Sequence, residues 1–296
     1  APAGTYDVTI RVSDGTSTTE RPLEIQVAPE RAHVGYTGDL MFSTGSVGTP
    51  SAPVTLRAHV TQEEEDGSPG DITRAAVMFD LYGPGNATAT PDATYQASPN
   101  PEGNVSVDIA SLGTGTWTVV VRTDPSAGYF EAADSDVVPV TVYVPTPDMF
   151  VTGGGWVHDP GYLDRPVAIS PDDHGEFGLD ARLTKDGMPS GTVTYGFTGA
   201  DGQRYVVQST GWRGGGLAIT GNQATIAGTC AITVLDAAGA LLSETAGDRF
   251  RVDVTDNGRS DTLALSVFAG DGTLYHRVGT PSAPLELGGG QVVIHR

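Results

Sequence analysis

Apolar and polar residues alternate with a period of two along almost the whole chain. Tyr6, Val8, Ile10 and Val12 alternate with Asp7, Thr9 and Arg11; Asp14-Gly15 turns the chain, and Leu23, Ile25 and Val27 resume the alternation. This pattern predicts a β-hairpin with one apolar face, ended by Pro29. Further strands are predicted at 54–61, 73–82, 105–110, 116–122 and 137–144. A longer series follows near 149–157, 177–183, 192–198, 204–209, 217–220, 223–229, 231–235, 249–256, 262–268, 273–278 and 291–295. Asp201-Gly202, Gly221-Asn222 and Asp271-Gly272 carry hairpin-turn chemistry. Residues 237–246 read equally well as a short helix or a hairpin loop.

Part of the pattern repeats. Gly115-Thr116-Trp117-Thr118-Val119-Val120-Val121-Arg122 echoes Gly4-Thr5-Tyr6-Asp7-Val8-Thr9-Ile10-Arg11, and each copy runs through a second strand to a proline, Pro145 or Pro29. Such self-similarity marks tandem modules. Residues 1–29 therefore read as the last two strands of a module that begins upstream. An isolated hairpin is marginal, so its apolar face is expected to pack on residues 31–146 or on a second chain. Residues 31–146 carry about seven short strands, the pattern of an immunoglobulin-like sandwich. Pro145-Thr146-Pro147 is a stiff linker, and residues 148–296 form a second complete module. The expected fold is all-β: tandem antiparallel β-sandwich (Ig-like) modules, with a cut at the linker leaving two pieces that each fold.

Composition sharpens this picture. The 296 residues include 40 Gly and 20 Pro, above typical shares of roughly 7% and 5%, which favours short strands and turns over helices. Sixteen Lys and Arg stand against 36 Asp and Glu, for a net charge of −20, and Lys185 is the sole lysine. Such a surface excludes nucleic-acid backbones and anionic membranes as partners and favours cations. Cys230 is alone, so no disulfide forms within the chain. No apolar run approaches the ~18 residues of a membrane span.

Candidate chemistry is sparse. There is no Gly-x-Ser-x-Gly elbow and no phosphate loop around Lys185, and the chain is expected not to be an enzyme. The segment Asp253-x-x-Asp256-Asn257-Gly258-x-x-Asp261 sets three carboxylates and an amide oxygen at a strand end and its loop. Calcium takes six to eight oxygens in irregular geometry, so Asp253, Asp256, Asn257 and Asp261 form a candidate Ca2+ site. The alternative is a hairpin turn closed by the same Asp and Asn side chains. The acidic Glu63–Asp71 loop is a second candidate. His158 and the Pro171-Asp172-Asp173-His174 stretch are candidates for zinc or for exposed loop residues. Trp156 and Trp117 read as core residues, whereas Trp212, beside Arg213 at the tip of a Gly-rich loop, suits core packing or sugar stacking alike.

Several motifs of residues 148–296 occur in a recognisable order. Phe150-Val151-Thr152-Gly153-Gly154-Gly155-Trp156-Val157 opens the module, followed by Phe177-Gly178 and Lys185-Asp186-Gly187-Met188-Pro189-Ser190-Gly191. Phe250 to Asp261 follows, and Gly288-Gly289-Gly290-Gln291-Val292-Val293-Ile294-His295 closes it. This resembles the post-COAP-type module found C-terminally in large secreted bacterial proteins. Leu179 and Leu263 stand where that family usually has aromatics. Residues 31–146 resemble the Ig-like repeats that precede such a module, through Tyr36-Thr37-Gly38-Asp39 and Asp66-Gly67-Ser68-Pro69-Gly70-Asp71-Ile72-Thr73. The opening hairpin resembles the end of a PKD-like or cadherin-like repeat. The resemblance implies an extracellular or cell-surface, non-catalytic module array acting in spacing, presentation or adhesion. Its partners would be other β-modules of the same polypeptide and polysaccharide. The alternative is an accessory region of an extracellular hydrolase whose catalytic domain lies upstream.

Overall fold

Alternating chains with glycine-rich turns bury one face per strand, and such strands pair with their neighbours in sequence. The computed structural model describes residues 2–63, 70–86, 90–133, 135, 137–146, 148–158, 174–199 and 201–295. It is all-β and antiparallel apart from one short parallel pairing within the sheets.

The opening strands β1 (Gly4–Ser13) and β2 (Thr18–Val27) form an isolated two-stranded ribbon. The expected cover from residues 31–146 is not there. Val8, Ile10, Val12, Leu23 and Ile25 are 40–65% exposed. Only the base of the ribbon is tied down, by the Ala3 amide on the Gly128 carbonyl. Alternation alone produces the ribbon, but it cannot say which surface meets the apolar face.

The next strands are β3 (Ala32–Tyr36), β4 (Met41–Ser43), β5 (Ser51–Gln62), β6 (Val77–Tyr82), β7 (Ala93–Ala97), β8 (Asn104–Gly113), β9 (Gly115–Thr123) and β10 (Val138–Tyr143). They form two sheets, β3-β5-β8 and β4-β10-β9-β6-β7, packed over a shared core that includes Val34, Leu56, Phe79, Val121 and Val140. The first strand is split: β3 joins one sheet, and β4 crosses to pair in parallel with β10 in the other. This is the expected immunoglobulin-like sandwich.

The remaining strands are β11 (Phe150–His158), β12 (His174–Leu183), β13 (Pro189–Thr198), β14 (Arg204–Thr220), β15 (Gln223–Leu235), β16 (Leu241–Glu244), β17 (Asp248–Thr255), β18 (Thr262–Phe268), β19 (Leu274–Val278) and β20 (Leu285–His295). Here the sandwich expectation is corrected. β11, β12, β13, β14, β15, β17, β18 and β20 pair in a ring, and the pairing of β14 with β15 and of β11 with β20 closes it into an eight-stranded antiparallel barrel. Closure removes open edges. β16 and β19 are side strands on β15 and β18, so the stretch around 237–246 is a hairpin and not a helix. The interior is filled by side chains such as Phe177, Tyr195, Phe197, Ile226, Phe250 and Leu265. His276 is buried and stacks on Phe197, with ring centroids 4.4 Å apart.

The motifs that open and close this module meet at the seam. In the β11–β20 register, Gly155 faces Gly290, Gly154 faces Gln291 and Trp156 faces Gly289. A Cβ on Gly155 would overlap the Gly289 carbonyl oxygen, and one on Gly290 would overlap the Gly154 carbonyl oxygen. The facing glycines are what let the two backbones approach. Trp156 is half-buried and lies against Gly288 and Gly289, so it covers the seam instead of entering the core.

Candidate functional site

Three of the four residues of the candidate calcium loop are acceptors and donors in a hydrogen-bonded clasp. Strand β20 pairs with β18 only through Thr262–Glu286 and Leu263–Leu285, which leaves further amides on that edge without a strand partner. Aspartate side chains take them. Asp261 Oδ2 accepts from the Val292 amide at 2.8 Å and Oδ1 from the Asn257 amide at 2.7 Å, while Asp256 Oδ2 accepts from the Ile294 amide at 3.1 Å. Asn257 Oδ1 accepts from the Asn222 amide group at 2.7 Å. Asp253 points elsewhere, onto Arg251. Thus Asp256, Asn257 and Asp261 share one cluster, and Asp253 does not join it. Among the described residues, no group of three or more His, Cys, Asp or Glu is arranged to hold a metal. Unfolding in calcium and in chelator would expose any metal contribution, because a cation that binds only the folded state raises its stability by mass action.

Asp261 is 4% exposed, and both of its oxygens accept from backbone N–H groups. Asp261→Ala should lower the free energy of unfolding by about 2–4 kcal/mol, since each buried donor left unpaired costs about 1–3 kcal/mol. Asp261→Asn should not rescue it, because one of the two N–H donors would then face an NH2 group. Denaturant midpoints of the two variants check this, and a wild-type midpoint for Asp261→Asn would exclude the two-acceptor role.

The other expected residues are placed as follows. His158 and His174 stand opposite one another across β11 and β12, both exposed, each about 5 Å from the Trp156 ring. Residues 171–173 and most of the Glu63–Asp71 loop lie outside the described residues. Trp212 is not at a loop tip: it sits in the bulged part of β14 and packs against the barrel core. Trp117 packs against the sandwich core and donates from Nε1 to the Gly113 carbonyl at 2.9 Å. Cys230 is fully buried, and burial pushes its thiol up to about 12, which keeps it from acting as a nucleophile near neutral pH.

The arrangement with the most chemistry lies where the sandwich meets the barrel. The outward faces of β15, β17 and β18 form the docking surface. Ala227, Phe268 and, from β19, Leu274 join the sandwich core. Two arginines of β17 clamp the junction. Arg249 donates to the Tyr36 and Gly38 carbonyls and lies over the Tyr36 and Phe268 rings, 5.7 Å from each centroid. Burial holds its guanidinium below the usual pKa. Arg251, 1% exposed, donates from Nη1 to Thr141 Oγ1 at 2.8 Å and to the Pro139 carbonyl at 3.2 Å. Its Nε and Nη2 fork onto Asp253 at 2.7 Å each, and Thr225 Oγ1 donates to the same carboxylate. The Leu40 amide on the Gly214 carbonyl at 2.8 Å adds a backbone tie.

Beside this clamp the two modules enclose a cleft of about 650 Å³. Thr116, Thr118 and Pro139 line it from the sandwich, and Thr225, Thr255 and Ser266 from the barrel. Arg277 reaches across and donates to the Val137 carbonyl at 3.0 Å. Residue-by-residue pattern reading missed this junction. Its signals were charged residues at alternate positions of β17, and β18, a strand apolar on both faces.

No protein-family model matches the chain, and no curated protein matches it. Among solved structures, fibronectin(III)-like modules of Clostridium thermocellum CbhA overlay 82% of this chain and 90% of that chain, with 13% identity and a TM-score of 0.24. A marsupial T cell receptor overlays 99% of this chain and 72% of that chain, with 12% identity and a TM-score of 0.26. A cycloalternan-forming enzyme from Listeria monocytogenes overlays 74% of this chain but only 20% of its own length, with 14% identity and a TM-score of 0.22. At these TM-scores the overlays carry no weight for fold or function, and the fold stands on the strand pairings.

Proposed function

We propose that the chain is a non-catalytic array of β-modules from a secreted or cell-surface bacterial protein, and that it acts as a rigid spacer presenting neighbouring modules. The observation that supports this most is the arginine clamp. Six donor contacts from Arg249 and Arg251 reach across the junction or hold Asp253 beside it, and apolar side chains of the barrel complete the sandwich core. A junction with buried arginines and a shared apolar core holds one orientation, whereas modules that move independently meet through small polar contacts. The uncovered apolar face of β1–β2 favours other β-modules of the same polypeptide as partners, because the internally similar pair β9–β10 has that face covered by a second sheet. The acidic surface keeps such an array away from anionic polymers.

Calorimetry tests the rigid coupling. The wild type should unfold in a single transition that includes both modules, and Arg249→Ala/Arg251→Ala should split it in two. Two separate transitions in the wild type would show independent modules and overturn the rigid-spacer reading.

A further inference from the structure

We infer that His158 and His174 form a chelating pair on the outside of the barrel that binds a divalent transition-metal ion. The two residues are the last pair of the β11–β12 register and stand directly opposite one another, both exposed. Both rings lie against Trp156, with centroids 5.1 and 5.0 Å from the indole. Facing positions of antiparallel strands set their Cβ atoms about 4.5–5.5 Å apart. Two imidazole nitrogens, each about 2.0–2.1 Å from a shared metal ion, stand about 3 Å from one another. Side chains at facing positions therefore reach a common ion by rotation about χ1 and χ2. The indole is itself seated on Gly288 and Gly289 at the seam, so it limits the directions that the two rings take and lowers the entropic cost of binding.

The chemistry of the pair selects the ion. The chain has six histidines, and four are engaged within the protein. His33, His59 and His295 bond Thr273, Asn104 and Thr152, and His276 is buried in the stack on Phe197. Among the described residues, the ring nitrogens of His158 and His174 make no hydrogen bond, and the Glu176 carboxylate lies 3.8 Å from His174 Nε2. A neutral imidazole is a lone-pair donor that suits Zn2+, Cu2+ and Ni2+, whereas Ca2+ and Mg2+ take oxygen ligands. A carboxylate beside a ligating histidine takes the remaining N–H and raises the basicity of the ring, and Glu176 stands in that position. Among the described residues, no third His, Cys, Asp or Glu joins the pair to close a coordination shell. Water fills the other positions, and the ion exchanges with solvent instead of being locked into the fold. The net charge of −20 favours the approach of a cation. The inference is separate from the spacer reading, since a rigid array needs no metal here.

The test is titration of the whole chain, first freed of metal, with ZnCl2 and with CuCl2 at a pH above the ordinary imidazole value of about 6.5. Binding is read by heat and by the imidazole nitrogen resonances. Each ion should bind saturably, Cu2+ more tightly than Zn2+. Zn2+ should move the His158 and His174 resonances together, and Cu2+ should broaden them. Acidification through the imidazole range should release the ion, because protons compete for the same nitrogens. His158→Gln and His174→Gln should each weaken binding by about tenfold or more, since even an outer partner of a ligand is worth about 10–100-fold. His59→Gln should leave it unchanged. Far-ultraviolet circular dichroism and the melting temperature confirm that each variant is folded, and if one fails to fold, the wild-type resonances decide alone. No saturable binding of either ion would overturn the inference. So would binding that both glutamine variants retain, which would place the ion on carboxylates elsewhere, or resonance changes that spare His158 and His174. The calorimetric test of the spacer is made in chelator, so these outcomes leave it untouched.

Discussion

Arg251→Ala is expected to lower the free energy of unfolding by about 3–5 kcal/mol, the range for removing one member of a buried ion pair. The arginine side chain is 1% exposed and Asp253 17% exposed, and their fork is formed at 2.7 Å. Without Arg251 the Asp253 carboxylate keeps only the Thr225 hydroxyl, and the Pro139 carbonyl and Thr141 hydroxyl of the sandwich lose their donor. The loss therefore falls on both modules at once. Arg251→Met/Asp253→Leu should recover much of it, because a well-packed apolar pair leaves no unpaired charge. Urea unfolding of wild type, single and double variants reads this directly. A single variant within about 1 kcal/mol of wild type, as exposed pairs give, would mean that the pair is not buried at the junction.

The second large effect belongs to the barrel seam. Gly155→Ala is expected to destabilise by about 3 kcal/mol or more, at the upper end of overpacking effects, because the new methyl group meets the backbone of Gly289 and not a movable side chain. Gly154→Ala, one residue away, should change stability by less than about 1 kcal/mol. Its Cβ would have only the Phe177 carbonyl oxygen nearby, at an ordinary 3.5 Å. The contrast between adjacent glycines of one motif is the diagnostic. Equal effects at both positions would mean that the glycines serve local backbone freedom and not closure. Guanidinium unfolding followed by tryptophan fluorescence is suitable, since Trp156 lies on this seam.

Strand positions, the hairpin turns and the immunoglobulin-like sandwich were legible in the chain, because side-chain period and turn chemistry are local properties. The turns at Asp201-Gly202, Gly221-Asn222 and Asp271-Gly272 all join paired strands, with Gly202, Gly221 and Gly272 at positive φ. What alternation cannot report is which strand lies beside which. Sandwich and barrel share the same one-sided pattern, and only the pairing of Phe150–His158 with Leu285–His295, more than a hundred residues away, decides for a barrel. The same limit explains the acidic loop. Spacing brought Asp256, Asn257 and Asp261 together in the reading, but the unpaired edge of β20 that their side chains cap exists only once the barrel closes. Polar residues at alternate strand positions ordinarily meet water, so nothing local marks Arg249, Arg251 and Asp253 of β17 as partners of a second module. The sandwich covers that face, and that contact turns three ordinary charged residues into a buried clamp. The sequence by itself determined which residues are strand and which side of each is apolar, because both follow from neighbours a few residues apart. Closure, the clamp and the cleft were decided by the tertiary structure alone, because each depends on surfaces meeting that are distant in the chain.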